Sequence, residues 1–231
     1  MSPDQVKPAL HQMVRDHAGA GAVAAFDWDD TCTVGDIGLT CLATLDAENG
    51  THVLPRYRWL CENHSKHVGY RYCTTTHAGR TDADLRALAG RVWQAATADG
   101  RIRPRHWIRA LMQDMKEHDW QVWIVTANPR PIVQTAAATY GIPPQRVIGM
   151  ELKTGPDGRL IPVLEEPAPY LEQKVPALMA AVGQKPLFAA SDSMSDVALL
   201  ESAQHSLALP AWNDGLREHA SNRGWWTVDD R

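Results

Sequence analysis

Phenylalanine is almost missing from this chain: two residues in 231, against nine tryptophans. Bulky packing therefore falls to tryptophan, and Trp28, Trp120 and Trp123, in or beside apolar runs, are expected in the core. No long hydrophobic run is present, and the one at residues 19–26 is far too short to span a bilayer. The N-terminus has no basic segment leading into an apolar stretch, so no secretory leader is expected. There is no basic stripe either. A formal charge of −4 gives no reason to expect nucleic acid. The four cysteines, Cys32, Cys41, Cys61 and Cys73, lack zinc-like spacing and are too few to scaffold a fold this size. They are expected as reduced thiols in a cytoplasmic protein. Repeats and low-complexity tracts are also lacking. The sequence leaves the oligomeric state open.

What is there is an alternation of short apolar runs and helical periodicity. Runs at residues 22–26, 122–125, 147–150, 187–190 and 206–209 read as strands buried on both faces of a parallel sheet. Helical stretches separate most of them, which predicts an α/β fold with a Rossmann-like three-layer core. Between residues 31 and 120 the alternation stops. Thr81 and Asp84 form a capping box before a stripe of Leu85, Leu88, Ala89, Val92 and Trp93. Pro104 suits the first position of another helix, with Trp107, Ile108, Leu111, Met112 and Met115 on its apolar face. Residues 36–45 are a further helix candidate, 51–79 carry no clear pattern, and Gly155-Pro156-Asp157-Gly158 predicts a hairpin turn. The expected division is a core of residues 1–32 and 119–231 with a small, mainly helical cap over 33–118.

Four fragments carry chemistry. Phe26-Asp27-Trp28-Asp29-Asp30-Thr31 ends the first run, Thr126-Ala127-Asn128 ends the second, Lys174 opens a helical segment, and Ser191-Asp192-Ser193-Met194-Ser195-Asp196 ends the fourth. Singly, each has an ordinary structural reading: turn aspartates, a threonine after a buried strand, a surface lysine, a helix N-cap. Ligands of parallel sheets, however, bind beyond the carboxyl ends of strands, where three of these fragments lie. An aspartate there can attack phosphorus, and Asp29, two residues on, can donate and accept the proton. Asn128 and the start of the helix after it offer N–H groups to an anion.

The order and spacing of these fragments resemble the haloacid dehalogenase (HAD) superfamily of phosphohydrolases, in its phosphoserine-phosphatase-like branch with a helical cap between the first two motifs. The resemblance spans most of the chain. Asp27, Asp29 and Thr31 match its DxDxT motif completely, which implies Asp27 as nucleophile, Asp29 as acid and base, and Asp29 as a metal ligand through its main-chain carbonyl. It implies that Thr126, Asn128 and Lys174 bind the phosphoryl group. It implies magnesium on Asp27, Asp29 and Asp192, with Asp196 and Thr31 as further ligands or as groups that hold the ligands in place. Ser191 departs from the usual glycine of GDSxxD, and fits if its backbone is not left-handed. The function implied is a magnesium-dependent phosphomonoesterase for a small phosphorylated metabolite, working through an aspartyl-phosphate. A phosphotransferase using the same intermediate and a non-catalytic member of the fold are the alternatives. A dehalogenase would need neither Asp29 nor Asp192, and a receiver domain is much shorter. In the cap, one or two of His64, Lys66, His67, Arg71, His77 and Arg80 are candidates to meet an anionic or hydroxylated substrate. Tyr57, Trp59, Tyr70 and Tyr72 are either cap core or the lining for a cationic group such as choline.

Overall fold

A computed structural model describes residues 2–19, 21–210 and 213–230; the outer ends of the expected core, Met1 and Arg231, lie outside them. A helix, α1 (Pro3–Asp16), leads into strand β1 (Val23–Phe26). The short strand β2 (Thr33–Val34) precedes four helices: α2 (Ile37–Asn49), α3 (Val53–Asn63), α4 (Lys66–Thr75) and α5 (Asp82–Ala98). Strand β3 (Arg103–Pro104), helix α6 (His106–Glu117), strand β4 (Gln121–Pro129), helix α7 (Arg130–Ala137) and strand β5 (Val147–Met150) return the chain to the sheet. The hairpin β6 (Leu152–Thr154) and β7 (Leu160–Leu164) follows, then α8 (Lys174–Val182), β8 (Phe188–Ser191), α9 (Val197–Ser202), β9 (His205–Ala208), α10 (Asp214–Arg223) and β10 (Trp226–Thr227). Among the described residues no helix is long and apolar enough to cross a membrane.

Six strands form one sheet in the order β10-β9-β8-β1-β4-β5, every neighbouring pair parallel. Successive side chains of a strand point to opposite faces, so a strand buried on both faces feeds two cores. Ala24 and Phe26 of β1, Val122 and Ile124 of β4 and Phe188 and Ala190 of β8 pack into one, with the stripes of α1, α5, α6 and α7. Ala25, Val125 and Ala189 pack into the other, against Leu178, Leu199, Leu200, Leu216 and Ala220 of α8, α9 and α10. The continuous apolar runs thus produce three layers. Trp28 and Trp120 are buried as expected, while Trp123 is half-buried.

Three local readings change. Pro104 does not open a helix; it pairs antiparallel with Thr33, and α6 begins at His106. The β2–β3 pair brings residues 33–34 beside residues 103–104. Gly35, at φ +101°, follows β2, and a Cβ there would lie 2.5 Å from the Arg101 carbonyl oxygen. Residues 51–79 are two helices, α3 and α4, joined by a tight turn. Their apolar pattern is faint because they bury little, chiefly Leu60, Gly69, Cys73 and Thr74. Close approach replaces a hydrophobic stripe: a Cβ on Gly69 would lie 2.2 Å from Cys61 Sγ. The sixth strand, β10, is only two residues long and has no apolar run to announce it.

Candidate active site

The ends of β1, β4 and β8 open onto a cavity of about 150 Å³. Asp27 continues the β1 pairing, donating its N–H to Ala190 O at 3.0 Å, and this fixes its carboxyl at the sheet's centre. Its Oδ1 accepts from Lys174 Nζ at 2.6 Å. Its Oδ2 lies 3.2 Å from Thr31 Oγ1, and the same hydroxyl lies 3.2 Å from Asp192 Oδ1 and accepts the Asp192 N–H at 3.1 Å. Residues 27 and 192 are therefore tied together through one oxygen. Lys174 also donates to Asp196 Oδ2 at 2.8 Å, which receives Ser191 Oγ at 2.7 Å. Ser191 lies outside the positive-φ residues, and its hydroxyl has a use that glycine could not supply.

After Asp27 the chain reverses. Asp30 takes a left-handed conformation, φ +56°, and its Oδ1 accepts the Gly35 N–H at 2.8 Å. The carboxyl of Asp29 reaches the start of α2, where Oδ1 accepts the Ile37 N–H at 2.7 Å. Its Oδ2 accepts from Asn128 Nδ2, also at 2.7 Å. That same amide reaches Asp36 Oδ1 at 3.1 Å. Both N–H groups of the Asn128 side chain are thus spent on carboxylates, where the sequence reading had them on phosphate. Room for this contact exists because residue 38 is glycine: a Cβ there would lie 1.8 Å from Asn128 Oδ1. Thr126 Oγ1 accepts the Asn128 N–H at 3.1 Å, which leaves its own hydrogen to donate, and the residue lines the cavity.

Six aspartates and one lysine line this cavity. Burial raises Asp27 to about 6, Lys174 working against that and Asp196 adding to it. Burial, then the charges of Asp36 and Asp27, hold Asp29 well above the usual carboxylate range. Asp192 is raised well above it too, by burial and then by Asp27, Asp196 and Asp30, with Lys174 opposing. Lys174 goes the other way: burial alone would discharge it, but Asp196 and Asp27 outweigh that and hold the ammonium charged. A surplus of buried negative charge with one cation is a site short of positive charge.

No group of three His, Cys, Asp or Glu side chains arranged to hold a metal occurs among the described residues. The donors on hand are the carboxylates of Asp27 and Asp192. The Asp29 carboxyl is engaged by Ile37 and Asn128, so only its main-chain oxygen is free to join them.

Asp36 escaped the sequence reading, although it lies five residues past Thr31. It caps α2, accepting the Leu39 N–H at 2.8 Å, and its carboxyl lines the cavity. Burial raises it to about 6, hydrogen bonds from Leu39 and Asn128 pulling back. None of the cap histidines, lysine and arginines singled out in the sequence lines the cavity. Lys66 donates to Ser195 Oγ at 2.6 Å, Arg71 pairs with Glu166 at 2.9 Å, and His67 lies 3.6 Å from Glu172. His77 is buried with both ring nitrogens unpartnered, in a separate pocket beside Met150 and Leu160. Of the four aromatics, Tyr57 and Tyr70 line the cavity, while Trp59 is 43% exposed.

This fold has close counterparts of known structure. A protein of unknown function from Bordetella pertussis Tohama I is 21% identical with a TM-score of 0.73, covering 90% of this chain and 97% of that one. A phosphoserine phosphohydrolase-like protein from Francisella tularensis subsp. tularensis SCHU S4 is 16% identical, TM-score 0.64, covering 90% and 95%. A substrate-bound phosphoserine phosphatase is 14% identical, TM-score 0.63, covering 91% and 93%. No curated protein sequence matches the chain. The family model for haloacid dehalogenase-like hydrolases matches residues 24–201, well over half of the chain. The chain belongs to that family.

Proposed function

We propose that this hydrolase is a magnesium-dependent phosphomonoesterase acting on a small phosphorylated metabolite through an aspartyl-phosphate. One observation carries the reading. Residues from two strand ends and a helix meet at Asp27, with Lys174 on one carboxyl oxygen and Thr31 joining the other to Asp192. Asp27 attacks phosphorus, the bond from phosphorus to the ester oxygen breaks, and the leaving oxygen takes its proton from Asp29. Asp29 suits the acid role because its surroundings favour the protonated form while Ile37 and Asn128 fix its orientation. Water then attacks the aspartyl-phosphate, giving a proton to Asp29, and the P–O bond to Asp27 breaks to release inorganic phosphate. Lys174 and the hydroxyl of Thr126 hold the phosphoryl oxygens. Asp27, Asp192 and the main-chain oxygen of Asp29 would hold magnesium, which offsets the repulsion between nucleophile and phosphoryl group. Asp196 and Ser191 position Lys174, and Asn128 positions Asp29.

We read α2–α4 as the cap. Helices α5 and α6, inside the bounds of 33–118 expected for the cap, share the sheet's core with α1 and α7 along their apolar stripes, whereas α2 adds only Ile37 and Cys41 to its buried residues and α3 and α4 add none. Four free cysteines, three of them buried, support a cytoplasmic setting.

Asp27→Asn tests the reading. Phosphate release from p-nitrophenyl phosphate with magnesium should vanish while the melting transition and circular dichroism persist, and EDTA should silence the wild type reversibly. A variant that keeps the wild-type rate rejects the nucleophile.

A further inference from the structure

The cavity has two ends of different character. At the sheet end lie Asp27, Asp192 and Lys174, whose ammonium is committed to Asp27 and Asp196. The far end is walled by the cap: Asp36, Leu39, Tyr57, Tyr70 and Cys73. Once phosphate occupies the sheet end, the alcohol part of the ester must lie against that wall. Among the described residues lining the cavity, the wall has no positive group to meet an anion; Arg71 and His67 face Glu166 and Glu172, and Lys66, exposed at the surface, donates to Ser195 Oγ. It has a carboxylate and two tyrosine rings, with centroids 6.3 Å apart and planes inclined by 30°.

Those groups suit one kind of alcohol. A carboxylate on the leaving group would face Asp36 unpaired in a buried site, a strongly unfavourable placement. An ammonium would meet a carboxylate and two tyrosine rings. Resting on the phosphatase reading, we propose that the substrate is a phosphomonoester of a cationic amino alcohol without a carboxylate, its ammonium held by Asp36, Tyr57 and Tyr70. Primary and quaternary ammonium groups share this chemistry, and the test separates them.

The purified full chain is assayed with magnesium on phosphoethanolamine, phosphocholine, phosphoserine and the uncharged isostere of phosphocholine, in which a tert-butyl group replaces trimethylammonium. p-Nitrophenyl phosphate serves as the control for the chemistry itself. The better of the two cationic esters should exceed both the isostere and phosphoserine in kcat/KM by at least about tenfold. Which of the two leads identifies the head group. Hydrolysis of the control with a smaller preference, or with phosphoserine foremost, overturns the cationic assignment and leaves the phosphatase standing. No hydrolysis of the control or of any ester overturns the phosphatase reading itself.

Substitution locates the preference. Tyr70→Leu should lower the ratio of cationic ester to isostere by about fivefold or more, while Tyr70→Phe, which keeps the ring, should preserve it. Should Tyr70→Leu fail to fold, Tyr57→Leu and Tyr57→Phe give the same comparison. Equal ratios in the Leu and Phe variants remove the rings from recognition.

Discussion

The sheet end of the cavity and its cap end are built by different means. At the sheet end each side chain stands on a strand terminus or a helix start, held by main-chain pairing and by several hydrogen bonds. Asp27 is anchored by Ala190, Lys174 and Thr31 together. At the cap end Tyr57 and Tyr70 stand on two short helices that bury little and meet through the small residue Gly69. On the proposed reading the chemistry sits in the densely hydrogen-bonded frame, and the wall that would meet the rest of the substrate is lightly held. Such a division would let the alcohol specificity vary without disturbing the charges proposed to handle phosphate.

Removing a charge from the sheet end should have the largest effect. Lys174→Met leaves Asp27 and Asp196 without their shared cation, so kcat should fall roughly a thousandfold. Breaking a buried ion pair also costs about 3–5 kcal/mol, which urea denaturation should register. If stability and kcat both stay near wild type, the frame is not organised around this ammonium.

Asp29→Asn should divide substrates by leaving group. Alkyl phosphates, whose alkoxides need a proton, should slow by about a hundredfold to ten-thousandfold. Aryl phosphates should slow much less, and equal losses on both would remove Asp29 from the acid role.

His77 reports on the junction between the cap and the β6–β7 hairpin. Burial, then Arg80, lowers it from 6.5 to about 4. Above 6.5 the folded and unfolded chains are both neutral at this residue, and its contribution to stability is intact. As pH falls from 6.5 to 4 the unfolded chain takes up a proton that the folded one refuses, so stability drops by up to about 3 kcal/mol. His77→Leu should flatten that part of the stability curve. An unchanged slope would mean that His77 accepts a proton in place.

The smallest change sharpens the contrast most. Gly69→Ala forces α3 and α4 apart, at a cost of about 1–3 kcal/mol. It should raise KM for alkyl esters severalfold and speed amide exchange in α3 and α4, with kcat on aryl esters nearly kept. A fall in kcat of the size expected for Lys174→Met would show that the two ends are not separable.

The sheet was legible because its strands are continuous apolar runs, the pattern of burial on both faces. The acidic fragments were legible because they follow those runs directly. Residues 51–79 were opaque for the opposite reason. A helical hairpin packed through Gly69 and Cys61 leaves no stripe to read, and Pro104, well suited to a helix start, was claimed by a strand pair instead. Asp36 was hidden in a helix cap, and Asn128, placed by the sequence on phosphate, was drawn to Asp29 and Asp36 by their proximity in space.

The sequence by itself determined the α/β architecture, the family and the order of the charged groups, because those depend on residue type and local spacing. Only the tertiary structure decided which cap residues face the cavity, which cations are already paired and where Asn128 points. Those outcomes depend on distances between segments far apart in the chain, and no local pattern encodes such distances.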